Sequence, residues 1–207
     1  MPHEPSSTRA DGRNPGGRLA AGPHASSALV LNADATGGAA EAIRALPTDL
    51  MAQHFHAGRR ALAVCAASPG VGCSFVASNL ALALSQIGMR TLLVDANLRF
   101  PSLHSIFGES GRVAGLADCL ATEDGEFGSY AHAGEPNLSM IYAGGVPANS
   151  QELLAGRRFH DLLKFCLREF GDDLGYAASQ YLRRRPTGQF GHRLQPDRRA
   201  ARPHLRR

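Results

Sequence analysis

The stretch that most constrains this chain runs from residue 61 to residue 95. Ala61 to Ala66 is a short apolar run that leads directly into Ser68-Pro69-Gly70-Val71-Gly72-Cys73-Ser74, and an apolar helical pattern follows from Phe75 to Ile87. Gly88 stands where a helix would stop, and Thr91 to Asp95 is a second apolar run of strand length. Strand, glycine loop, helix and strand in that order predict a βαβ unit, and with it a parallel sheet flanked by helices.

The rest of the chain is read around that unit. Residues 1–27 carry too little apolar surface to offset the entropy of ordering and are expected to form a disordered leader. Between Ala39 and His54, the residues Ala42, Ile43, Leu46, Leu50 and Met51 recur at helical spacing. Pro47 lacks the N–H needed by the helix ladder, so a kinked or broken helix is expected there. Weaker helical patterns cover Leu103–Phe107 and Leu116–Leu120, Leu138–Tyr142 reads as a third strand, and Ser150–Phe170 reads as a helix. Residues 28–170 thus form the expected folded domain. Residues 171–207 turn to Arg, Pro, His, Gln and Gly and are expected to be a disordered basic tail.

Composition narrows the function. The 207 residues suffice for one α/β domain, and no Trp and few aromatics argue against a carbohydrate-binding sandwich. Cys65, Cys73, Cys119 and Cys166 stand far apart, without the pairing of a zinc site or the density of a disulfide framework, which points to a reducing cytoplasm. No signal-peptide pattern or membrane-length apolar run is present, so membrane association is expected to come through a partner. The runs Arg183-Arg184-Arg185-Pro186 and Arg198-Arg199-Ala200-Ala201-Arg202-Pro203 lack aromatic interleaving and any amphipathic period, and no nucleic-acid partner is expected. Their composition favours an out-of-frame or truncated end over a built basic tail.

The candidate site is the loop. Successive backbone N–H groups after a strand, with the positive end of a helix dipole, form a cradle for phosphate, and Gly70 and Gly72 let the backbone approach closely. Ser74 stands where a phosphate-loop hydroxyl would hold magnesium, and Asp95 ends the next strand within reach of the same ion, directly or through water. Two features depart from G-x-x-x-x-G-K-[ST]: Ala67 takes the first glycine position, and Cys73 stands where a lysine would reach the β and γ phosphates. A tight glycine-rich strand-to-helix turn with no ligand reads the same way.

Three stretches go further. Ala67 to Ser74, Leu92-Leu93-Val94-Asp95-Ala96-Asn97-Leu98-Arg99-Phe100-Pro101 and Ala143-Gly144-Gly145-Val146-Pro147-Ala148-Asn149-Ser150-Gln151-Glu152-Leu153-Leu154 resemble successive motifs of the bacterial tyrosine kinases of capsule and exopolysaccharide synthesis, the chain-length-determinant type. With Gly115-Leu116-Ala117-Asp118 and Glu41 to Leu50, the resemblance covers about residues 39–170. It implies a P-loop NTPase fold related to partitioning and septum-positioning ATPases, with ATP and Mg2+ as cofactors. It also implies autophosphorylation on tyrosine and control of polymer length and export through a membrane polysaccharide copolymerase, at the cytoplasmic side of the inner membrane. Self-association is a further implication. Carried over residue by residue, the nucleotide loop is Ser68, Pro69, Gly70, Val71, Gly72, Cys73, Ser74 and Phe75. The metal residues are Ser74 and Asp95, and the catalytic residue is Asp95.

This sequence departs from the resemblance at four places. Cys73 removes the positioned cation, and phosphoryl transfer depends mainly on such electrostatics, so turnover is expected to be impaired. A thiol at a helix N-terminus is alternatively a reactive or redox-sensing group. Asn97 stands where the acidic motif usually has a second aspartate, and an amide cannot act as a base. Pro47 replaces the second arginine of an oligomerisation motif whose glutamate and first arginine are Glu41 and Arg44. An ordinary amphipathic helix accounts for those two equally well. Finally, after Phe170 the family's apolar Walker B strand and its tyrosine-rich tail are not evident. Gly171-Asp172-Asp173-Leu174-Gly175-Tyr176 reads as no strand, and the domain is expected to be incomplete at its C-terminal end. The competing readings are a non-catalytic interaction subunit for the copolymerase and a partitioning-type P-loop ATPase.

Overall fold

The structure is a computed structural model, and it describes residues 18–19, 27–109, 113–122, 130–132, 135–169 and 175–181. Its centre is the predicted strand–loop–helix–strand. Strand β2 (Ala61–Ala66) feeds helix α3 (Cys73–Gln86), which returns to β3 (Thr91–Asp95). Residues Ala77 to Ser85 of α3 are buried without interruption. A helix with uncharged, mostly apolar residues on every face is an internal one, and Ala-Ser-Asn-Leu-Ala-Leu-Ala-Leu-Ser, whose Ser78, Asn79 and Ser85 are buried with the rest, is such a sequence.

One face of α3 packs on the sheet through Leu93, Met140 and Val64, and the other meets α1 (Val30–Ala33) and α2 (Gly38–Leu50) through Leu31, Ile43 and Leu46. Asn79, fully buried in α3, fastens the incoming chain. Its amide nitrogen donates to the carbonyls of Ala28 (2.7 Å) and Phe75 (2.9 Å), and its oxygen accepts from the Val30 N–H (2.9 Å). A buried amide with every polar atom engaged specifies this docking as well as stabilising it.

Helix α2 is not broken at Pro47. It runs on to Leu50 and passes into a π-helical turn over Met51–Phe55. Proline removes one ladder bond, but Ile43, Leu46 and Leu50 pack against α3 on either side of it, and tertiary burial carries the helix across the gap.

On the opposite face of the sheet, Leu92, Val94 and Ile141 are covered by α5 (Leu116–Ala121) and by Leu162 and Cys166 of α7 (Arg157–Glu169). Burial pushes the Cys166 thiol up to about 12. The long helix expected over Ser150–Phe170 is divided. α6 (Ser150–Ala155) stops at Gly156, whose backbone is extended, and α7 restarts one residue later. The third strand, β5 (Leu138–Ile141), pairs in parallel with β3, and the short helix after β3 is α4 (Leu103–Ile106).

The sheet order is β1-β4-β5-β3-β6-β2, where β1 is Arg18–Leu19, β4 is Tyr130–His132 and β6 is Gly175–Tyr181. Two sequence expectations are corrected here. Within the stretch read as a disordered leader, Arg18 and Leu19 form an edge strand paired with Ala131 and His132. More consequentially, a strand does follow Phe170. β6 lies between β3 and β2 and pairs in parallel with both, from Thr91↔Gly175 to Asp95↔Ser179 on one side and from Ala61↔Tyr176 to Ala66↔Tyr181 on the other. Gly-Tyr-Ala-Ala-Ser-Gln-Tyr is not an apolar run, but an interior parallel slot is held by backbone hydrogen bonds on both sides, and these do not depend on side-chain character. The sheet therefore has no gap beside the glycine loop. The remaining tail residues, 182–207, and the link 170–174 lie outside the described residues.

Candidate phosphate-binding site

The loop between β2 and α3 takes the shape that its glycines allow. Gly70 (φ 75°) and Gly72 (φ 92°) are left-handed, a conformation that costs an L-residue roughly 1–2 kcal/mol. A Cβ would meet nothing at either position, so it is backbone conformation and not crowding that requires glycine. Gly72 is the N-cap of α3 and has no side chain to satisfy the first helical N–H groups, which leaves them directed at the loop. A cavity of about 310 Å³ opens there, lined by Ser68 to Phe75 and, from the facing loop, by Asn97, Phe100 and Ser102. All eight loop residues expected at the site are thus brought together. Ser68 to Val71 are exposed, and Cys73, Ser74 and Phe75 are half-buried.

Asp95 is placed differently. It is fully buried at the end of β3 and does not line the cavity. Its Oδ1 accepts from the Asn97 N–H (3.1 Å), and its Oδ2 accepts from the N–H groups of Ser102 (3.1 Å) and Leu103 (3.2 Å). Burial pushes the Asp95 carboxyl above its ordinary value. The three N–H donors and nearby His104 pull the other way and offset only part of that. The Asn97 side chain turns back to accept from the Phe100 N–H (3.2 Å), closing a local turn. Ser74 and Asp95 are linked only indirectly, through Ser102, which the sequence analysis does not name: its N–H donates to Asp95, and its hydroxyl donates to Ser74 Oγ at 2.7 Å. The available signal was a serine just after Pro101 and before a helical run, the usual appearance of an N-cap.

The loop that follows β5 adds a second wall. The Leu116 and Ala117 N–H groups donate to the carbonyls of Tyr142 (2.7 Å) and Ala143 (2.9 Å), and Asp118 accepts from the Gly115 N–H (2.9 Å), so two of the quoted motifs are tied to each other. A larger cavity of about 620 Å³ runs from Arg99 and Phe100 to residues Val146–Glu152, and it shares Phe100 with the first. Phe100 and Val146 are both more than 60% exposed, 62% and 64%, and face this groove.

The residues fit a phosphate group. Left-handed glycines, a helix start and a cavity carrying the hydroxyls of Ser68, Ser74 and Ser102 offer what an oxyanion and its counter-ion require. What the loop itself lacks is a cation, because its Lys position is Cys73. Among the described residues no cluster of three or more His, Cys, Asp or Glu forms a separate metal centre, none of the four cysteines is in a disulfide, and no helix is long and apolar enough to cross a membrane. Burial raises the Cys65 thiol above its usual range, and neighbouring Cys73 adds to the effect.

A sheet parallel but for its β4–β5 pair, a glycine loop opening an internal helix, and an acidic residue ending the next strand define a P-loop NTPase fold. No protein-family model matches the chain. Over 126 residues it is 39% identical to "Tyrosine-protein kinase wzc" of Salmonella typhimurium, covering 60% of this chain and 17% of that protein. Over 123 residues it is 37% identical to "Putative tyrosine-protein kinase EpsB" of Ralstonia solanacearum, covering 59% and 16%. The solved kinase domain of the Escherichia coli tyrosine kinase ETK superposes with a TM-score of 0.65 at 30% identity, over 73% of this chain and 58% of that one. The chain is a homologue of bacterial tyrosine-protein kinases, and it spans about a sixth of the length of the curated relatives it matches.

Proposed function

We propose that this chain is the nucleotide-binding, tyrosine-kinase-like unit of an exopolysaccharide assembly system, binding ATP with Mg2+ in the cavity at Ser68–Phe75 and turning it over poorly. The observation that carries this reading is the left-handed pair Gly70 and Gly72 at the start of α3, opposite the two hydroxyls of Ser74 and Ser102. In this reading the backbone N–H groups of Gly70 to Ser74 hold phosphate, and Ser74 supplies an oxygen toward the metal ion. Asp95 holds the facing loop in place through its three backbone bonds. Service as a general base would require its fully buried carboxylate to gain access to the cavity. When bound, magnesium would supply charge neutralisation at the phosphates. The groove between Arg99 and Glu152, with exposed Phe100, is the natural approach for an acceptor segment.

Poor turnover follows from Cys73. Without a loop cation, the charge that develops in phosphoryl transfer goes largely unanswered. The same observation favours a second reading, a nucleotide-responsive interaction subunit that docks on a membrane polysaccharide copolymerase at the inner membrane without phosphorylating it. Isothermal titration of ATP and ADP with Mg2+ and with EDTA tests the shared part. Weak, strongly magnesium-dependent binding is expected, and no binding in either condition would refute both. Phosphotyrosine mapping after incubation with ATP separates the two, with abundant modification lost in Asp95→Ala favouring the kinase.

A further inference from the structure

We infer that Ser102 is a positioning residue of the nucleotide site, carrying the influence of the buried Asp95 carboxylate to Ser74. The inference rests on the nucleotide reading above. Ser102 is the N-cap of α4, and a serine in that place ordinarily turns its hydroxyl onto an N–H of its own helix. Here it makes no such cap. Asp95 takes the Ser102 and Leu103 N–H groups, and the Ser102 hydroxyl is directed across the cavity onto Ser74 Oγ at 2.7 Å. The carboxylate thus performs the capping, and the serine is released for another task.

The chemistry of that task follows from what a hydroxyl carries, one hydrogen and two lone pairs. As the structure stands, Ser102 donates and Ser74 accepts. A Ser74 oxygen that lends a lone pair to a cation must aim its own hydrogen elsewhere, and Ser102 Oγ is the acceptor already within reach. Turning both hydroxyl hydrogens about their Cβ–Oγ bonds, Ser74's inward and Ser102's away, reverses the donor and acceptor roles without moving either backbone. Ser102 can therefore keep Ser74 in one rotamer in both states, and its own backbone is fixed by Asp95. Asp95, which does not line the cavity, then influences the site through Ser102.

The test uses a fluorescent ADP analogue and the whole chain, as wild type, Ser102→Ala, Ser102→Thr, Ser74→Ala and the double variant Ser74→Ala/Ser102→Ala. Loss of one hydrogen bond of this kind corresponds to roughly a fivefold rise in the magnesium concentration for half-maximal binding in Ser102→Ala. Ser102→Thr retains the hydroxyl and should restore the wild-type value, and in Ser102→Ala any loss in EDTA should be smaller than the loss in magnesium. In the Ser74→Ala background, removing the Ser102 hydroxyl should change nothing further, since the pair acts as one unit. Wild-type magnesium dependence in Ser102→Ala overturns the inference, and so does a loss that is equal in EDTA and not rescued by threonine. A wild-type chain that binds no nucleotide under any condition overturns the nucleotide reading and this inference with it.

Discussion

The loop after β2 and the loop after β3 face each other across one cavity, but the first is shaped by its own backbone and the second by a buried side chain. In the first, Gly70 and Gly72 adopt left-handed conformations with open space around them, and no side chain caps the helix they open. In the second, a fully buried carboxylate gathers three N–H groups, and a serine that would normally cap its own helix is redirected. A loop of the first kind commits no capping side chain to its N–H donors. A loop of the second kind spends them on itself and is correspondingly rigid.

Removing the organising group of the second loop should therefore produce the largest effect. Asp95→Ala leaves the N–H groups of Asn97, Ser102 and Leu103 without their acceptor, and about 2–4 kcal/mol of stability should be lost in urea denaturation. A cost within error of zero would show that the N–H groups find other partners and that the loop does not depend on the carboxylate. Asp95→Asn separates the acceptor from the charge. The Asp95 pKa is raised in the folded state by burial, so its stabilising contribution is fully present below the ordinary value of 3.8 and is lost as pH rises through the folded-state value. Wild type and Asp95→Asn should be closest in stability at low pH, with the gap moving in favour of Asn as pH rises from about 4. A gap that moves toward wild type would mean that the three N–H donors and His104 outweigh desolvation.

In the first loop the corresponding change is to the backbone. Gly72→Val should cost roughly 1–2 kcal/mol by forcing a β-branched residue to positive φ, and nucleotide binding should weaken with it. Loss of stability with binding intact would detach the loop's conformation from ligand binding. Cys73→Lys should have the opposite sign, tightening Mg-ATP binding by about tenfold because it supplies a charge-assisted donor at the helix start. Unchanged affinity on isothermal titration would place the phosphates elsewhere.

These two loops were not equally legible. Ser68 to Ser74 could be read because glycine spacing between an apolar run and a helical run has few other meanings. The βαβ unit around α3 followed for the same reason, since an apolar helical run between two apolar runs of strand length is the pattern of a crossover. Ser102 was hidden because the direction of its hydroxyl depends on where α3 begins, which is a tertiary fact. β6 was hidden because its sequence carries no apolar signal. The slot between β3 and β2 exists only once the crossover has been built, and it is filled by backbone hydrogen bonds. The loss of one bond at Pro47 was visible, whereas the packing of Ile43, Leu46 and Leu50 that carries the helix past it was not.

The smallest effect is expected where a side chain holds backbone at the surface. Arg44, the arginine that resembles half of an oligomerisation motif, donates from Nη1 to the Ala35 carbonyl at 2.6 Å in an exposed position. The contact is of the same type as those of Asp95, but water competes for both partners, so Arg44→Ala should change stability by no more than about 0.5 kcal/mol. The bond already gives Arg44 an intrachain role. If that role is all it has, sedimentation of Arg44→Ala should match wild type at every concentration, and the helix is an ordinary amphipathic one. A concentration-dependent shift to smaller species in Arg44→Ala, with unfolding unchanged, would show instead that the guanidinium leaves Ala35 for a second copy of the chain, despite Pro47 standing where the motif's second arginine is expected.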